Sequence, residues 1–206
     1  WADLMRVDST LLEARPLPGR VPAAEWIAAQ PGLFRVYSPS YSLPLGDELQ
    51  HVDGVDPLQL AASVQFIERA SGVPAQGYSV SVPAFASDDL ATANALAAPN
   101  ARLLGELNVR YIAAEFPIDQ PRLVLAATFG NTRVYENMEF APRARLVDGA
   151  EAAVAFWSPN HIQIRADGPG TLAVSEVMYP GWEARVDGEP TSIETTDGLF
   201  RSVTLS

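Results

Sequence analysis

The chain has 206 residues, 48% apolar and 19% charged, and its 14 basic residues, all arginine, stand against 25 acidic ones for a net charge of −11. That balance argues against a phosphate-neutralising surface for nucleic acid and against a polybasic patch for anionic lipid. With no cysteine, disulfide frameworks, thiolate zinc sites and cysteine nucleophiles are excluded.

The length suits one large domain or two small modules sharing an interface, and the change of texture along the chain favours two. Its 17 prolines and 14 glycines are scattered, the mark of a folded protein with many turns. No apolar run approaches the ~20 residues of a spanning helix, and no signal peptide is evident.

Residues 1–21 have no sustained period and end in Pro16, Pro18 and Gly19, which reads as an entry segment. Pro22 opens a short helix that Pro31-Gly32 stops, because proline at the first helical position loses no hydrogen bond. "LFRVYS" is a predicted strand in which Phe34 and Val36 alternate with Arg35 and Tyr37. A second helix follows from Asp56 as cap and Pro57 at the first position, with Leu58, Ala62 and Phe66 on one stripe and Gly72 as the stop. "YSVSVPAF" alternates as a strand. "SDDLATANALAA" is a predicted helix capped by Ser87, with Asp88 and Asp89 at the positive end of its dipole. "ARLLGEL" is another short helix, leading through Asn108 into the strand "VRYIAAE".

From Arg122 onward the signals are strands only, punctuated by Gly and Pro: "RLVLAATF", "TRVYEN", "ARLV", "AAVAFW", "HIQIRA", "TLAVSEV", "WEARV" and "LFRSVTL". Asp187-Gly188 predicts a type I′ hairpin turn, where both central residues need positive φ. In "WEARVDG" the alternation puts Trp182, Ala184 and Val186 on an inward face, and Trp182 in the core. The expected fold class is therefore α+β. An entry segment (1–21) precedes an α/β subdomain (22–118) with a small sheet and three or four short helices. An antiparallel β-sandwich (119–206) follows.

No Gly-x-Ser-x-Gly elbow, P-loop or dinucleotide fingerprint occurs. His51 and His161 lack the short-spaced partners of a metal site and read as surface or turn residues. Asp47, Glu48, Asp53 and Asp56 do not fit an EF-hand loop. They read as a helix cap at Asp56 and solvated charge elsewhere. Paired carboxylates for glycoside hydrolysis cannot be chosen by sequence, because their separation belongs to the fold. No cofactor and no metal are expected. Ligands favour domain junctions, so the candidate ligand surface is Tyr41, His51, Asp53 and Trp157, where loops of the two halves are expected to meet.

The tail "LAVSEVMYPGWEARVDGEP", followed by "LFRSVTL", resembles the C-terminal extracytoplasmic region of YfhO-type bacterial membrane proteins, multispanning proteins related to type C glycosyltransferases. "VDGVDPL", "LLGELNVRYI", "VYENMEFAPRARLV" and "SPNHIQI" match in the expected order, and "WADLMR" is similar to the segment after the last membrane helix. The resemblance implies an extracytoplasmic, non-catalytic domain attached to an upstream transmembrane bundle of the same polypeptide, with 1–21 as its juxtamembrane entry segment and the sandwich cut short of a closing strand at its C-terminal end. Its expected partners are a glycan, a lipid-linked sugar or a polymer acceptor. The family's catalytic acidic residue lies between early membrane helices, so no catalytic residue carries over. Two alternatives stand beside this reading: a purely structural module packing on the bundle or a partner, and a carboxylate-dependent glycoside hydrolase.

Overall fold

The computed structural model describes residues 21–44, 49–75, 79–85, 87–147 and 152–206. Strand outweighs helix, the helices all lie in the first half, and the fold is α+β.

The first sheet has the order β1-β4-β6-β5, from β1 (Arg35–Tyr37), β4 (Val109–Ala114), β5 (Leu123–Phe129) and β6 (Thr132–Asn137). β1 and β4 are parallel, and the other pairs are antiparallel. Helix α1 (Pro22–Ala28) covers one face, packing Ala23 and Ile27 on Val36, Tyr111 and Val134. Helices α2 (Ala61–Ser71) and α3 (Ala101–Glu106) cover the other, packing Phe66, Ala70 and Leu104 on Val109, Ile112 and Ala114. Both faces are covered at β1 and β4, which is why Val36 and Tyr37 are both buried where simple alternation predicts one in and one out, while the edge strand β5 stays largely exposed. A bulge at Arg110, between the pairs Arg35–Val109 and Val36–Tyr111, changes the phase of β4 and feeds both cores from one strand.

The second sheet is antiparallel, in the order β13-β14-β10-β7, from β7 (Ala144–Leu146), β10 (Gly170–Val177), β13 (Glu194–Thr196) and β14 (Phe200–Leu205). Against it lie two hairpins, β8 (Ala152–Ser158) with β9 (His161–Ala166) and β11 (Ala184–Val186) with β12 (Glu189–Thr191). A short pair, β2 (Gly54–Val55) with β3 (Ser81–Val82), completes the strands. The second core is small, with Ala144, Leu146, Leu172 and Val174 buried and Val154, Ile164 and Leu205 only half-buried against them. Phe200 meets Phe66 edge-on at 5.2 Å and ties the second sheet to the first core.

Several local signals hold. Pro22 opens α1, Asn100 caps α3 through the Leu103 N–H at 3.1 Å, and Gly72 ends α2 at φ 72°. Asp187 and Gly188 take φ of 52° and 90° in a two-residue turn that pairs Val186 with Glu189. Others are overturned. The stretch 90–96 forms successive turns and no helix: the Asp89 carboxylate takes the Ala91 N–H and the Thr92 hydroxyl, local bonds that compete with the helical ladder. Asp56 caps its own turn through the Leu58 N–H at 2.8 Å, so α2 begins at Ala61 and Leu58 stays 86% exposed. "YSVSVPAF" contributes only Ser81–Val82, with 76–78 outside the described residues. The β5–β6 hairpin, expected in the second half, completes the first sheet by pairing β6 to β4, so the sheets divide between Asn137 and Ala144. A strand signal reports burial and alternation but does not name the sheet it joins.

Candidate functional site

Three of the four expected residues come together. His51 bridges Val36 at the edge of β1, its Nδ1 lies 3.3 Å from Asp53 Oδ1, and its Nε2 lies 3.2 Å from the Pro44 carbonyl. A carbonyl only accepts, so Nε2 must carry a hydrogen, and the contact on Nδ1 needs a second proton, held by the imidazole or the carboxyl. Burial raises the Asp53 carboxyl above its ordinary value against the opposing pull of His51. Burial, then the nearby Asp53 charge, also raises the Tyr37 hydroxyl far above the phenol range and the Tyr41 hydroxyl above its usual value. Tyr41 donates to the Pro83 carbonyl at 3.2 Å and sets its ring 4.6 Å from Phe85. Asp53 Oδ2 and the Tyr37 hydroxyl are buried without a hydrogen-bond partner.

This corrects two expectations. The side chains of His51 and Asp53 are 7% and 1% exposed, so neither is a surface residue or a solvated charge. Asp47 and Glu48 lie outside the described residues. Both nitrogens of His51 are engaged, which leaves no free lone pair for a nucleophile's proton. Among the described residues, no group of three His, Asp or Glu side chains is placed to hold a metal ion.

Trp157 belongs to a different cluster. Its Nε1–H donates to Glu176 Oε1 at 3.0 Å. The same oxygen takes Arg143 at 2.6 Å, while Oε2 takes Arg35 at 2.9 Å. Arg143 also donates to Asn108 Oδ1 at 2.8 Å and Gln50 Oε1 at 2.7 Å, and Arg35 to the carbonyls of Leu107 and Ser175. A bulge in β10 between Val174 and Val177 lifts Glu176 out of the ladder with β14 and presents it to both arginines. Burial alone would raise the Glu176 carboxyl, but Arg35 and Arg143 outweigh it and hold it below its usual value. Burial lowers Arg35 to about 10, and Arg143 moves in the same direction; a guanidinium at such a value is still charged at neutral pH. These groups come from both sheets, so the junction is a network of mutually satisfied charges. Gln50, next to His51, connects it to the first cluster.

A separate groove opens between β9 and the stretch 180–186. It has a volume of about 880 Å³ and is lined by Asn160, His161, Gln163 and Arg165 on one side and by Glu183 and Arg185 on the other. Beside it a cavity of about 270 Å³, lined by apolar and polar groups in similar measure, reaches Ile164, Leu172, Val186 and Val203 as well as Glu183, Asp187 and Arg201. Trp182 borders both. It shares the inward side with Ala184 and Val186, yet it is half-buried and not in the core, and the Arg201 guanidinium lies 3.8 Å from its ring centre. Tyr179 is 55% exposed.

Sequence reasoning missed Arg35, Gln50, Arg143 and Glu176. The available signal was a lone charge inside an apolar strand, Arg35 in "LFRVY" and Glu176 in "LAVSEV", since such a charge is rarely buried without an opposite one. The comparisons with known proteins add no identity: no family model, curated protein or solved structure matches the chain.

Proposed function

We propose that the chain is a non-catalytic extracytoplasmic domain of a YfhO-type, glycosyltransferase-like membrane protein, and that it holds a glycan, a lipid-linked sugar or an acceptor near the membrane-embedded part. The observation that carries this reading is the open cleft between β9 and residues 180–186. It joins the apolar side chains of Ile164, Leu172 and Val186 and a half-buried tryptophan to a rim of planar polar side chains, the composition of a ligand cleft. The engagement of both His51 nitrogens supports a binding role over a hydrolytic one. In this reading the second sheet and its two hairpins form an antiparallel β-sandwich whose rim is the cleft.

The stretches that carry the resemblance supply Asn108, Arg143 and Glu176 to one buried network, which supports a single unit built to hold its shape. The same network favours a second reading, a structural module with no ligand, because its charges satisfy one another. Calorimetric titration with a saccharide and acceptor panel separates the two. Saturable binding weakened by Trp182→Ala is expected; heats flat across the panel would remove the binding role.

A further inference from the structure

The rim strands of the cleft are each paired on one side only. β9 is hydrogen-bonded to β8 and β11 to β12, and among the described residues neither has a partner on its other edge. Two such edges facing a shared groove present unpaired N–H and C=O groups, the template on which an extended chain adds as a strand.

The side chains continue the pattern. On β9, Ile162, Ile164 and Ala166 are half-buried, while His161, Gln163 and Arg165 are exposed. On β11, Ala184 and Val186 are half-buried and Arg185 is exposed. A strand laid between them must alternate likewise, with apolar residues entering the cavity of about 270 Å³ and polar residues facing out. This cavity borders the small second core, whose lining is only partly withdrawn from water.

The rim also selects charge. In a chain of net charge −11, Arg165 and Arg185 line the groove with no ion pair among the described residues, and Arg185 donates only to the Gly188 carbonyl at 3.1 Å. Glu183 is the one acidic side chain of the rim. We propose that the cleft binds, by strand addition, an extended segment of a partner polypeptide that alternates apolar residues inward with acidic residues outward. This rests on the reading that the cleft is a binding site, and it names a polypeptide as the ligand.

The test uses the whole chain and three peptides matched to the six residues of β9: alternating Val/Glu, the same residues in two blocks, and alternating Val/Lys. Affinity is read by calorimetry, and hydrogen exchange reports on the amides of residues 161–166 and 184–186. The Val/Glu peptide is expected to slow exchange at both strands and to bind the wild type at least about tenfold more tightly than the block peptide, whose apolar residues cannot all face one side. In the Arg165→Glu/Arg185→Glu variant, whose substitutions are on exposed positions, the preference should pass to Val/Lys. Equal binding of the alternating and block peptides overturns strand addition, as does protection that appears without peptide as protein concentration rises, which would make a second copy the occupant. A saccharide that protects these strands when no peptide does overturns the polypeptide ligand and leaves the proposed function standing. If neither peptide nor saccharide binds, both fall.

Discussion

The two sheets bury their residues very differently. The inner strands of the first are covered on both faces, and six of its buried side chains, Val36, Val109, Ile112, Ala113, Ala114 and Val134, are 0% exposed. The second has four buried apolar side chains in its own cluster and surrounds them with half-buried ones that border an open cavity. A strand buried on both faces contributes its full apolar area to stability, whereas a hairpin with one free edge contributes part of it and leaves surface for a ligand. The first sheet is therefore the better buried of the two, and the Arg35–Glu176–Arg143 network joins one to the other.

The largest expected effect strikes that connection. Glu176→Ala leaves two buried guanidiniums without their carboxylate and should lower stability by about 3–5 kcal/mol in urea unfolding. A loss below about 1 kcal/mol would show that the sheets are held by apolar contacts alone. The contrast between the two cores is tested next. Ile112→Ala should cost about 2–5 kcal/mol, and Ile164→Ala only about 1 kcal/mol because its side chain is half-withdrawn from water already. Equal losses would break the comparison. At the rim, Gly188→Ala puts a side chain on a residue at φ 90°, with open space around it. The cost should be about 1 kcal/mol, from backbone strain alone.

The smallest effect concerns pH. The raised Asp53 carboxyl means that the folded state keeps its proton after the unfolded chain has lost it. Stability from this group is thus present below the ordinary carboxylate value of about 3.9 and declines as pH rises through the raised folded value. Glu176, held low, acts in the opposite sense: its contribution is present above the ordinary value and is lost as pH falls through the lowered one. Asp53→Asn should therefore gain on the wild type between pH 4 and pH 7 in parallel urea titrations. A constant difference between the two proteins would mean that Asp53 does not titrate in that window.

Much of the local structure was legible in the sequence because its causes are local. Proline at the start of α1, Gly72 at the left-handed stop of α2 and Asp187-Gly188 in a hairpin act within a few residues. The failed helix at 87–98 was also local: Asp89 and Thr92 served equally well to bond their own turn. The candidate site was half legible. Tyr41, His51 and Asp53 are close in sequence and share one cluster, but Trp157 points to Glu176, a partner that no spacing rule connects to it.

By itself, then, the sequence determined the balance of strand over helix, the turns and caps, the alternation of Trp182, Ala184 and Val186, and the absence of cysteine chemistry. Tertiary structure alone decided that the 123–137 hairpin joins the first sheet, that Asp53 is buried beside two tyrosines, and that Arg35 and Arg143 share one carboxylate. It also decided that, among the described residues, β9 pairs only with β8 and β11 only with β12. The reason is that hydrogen-bonding edges and buried charges find partners across long separations, and those partners are selected by how whole sheets pack, which no window of neighbouring residues contains.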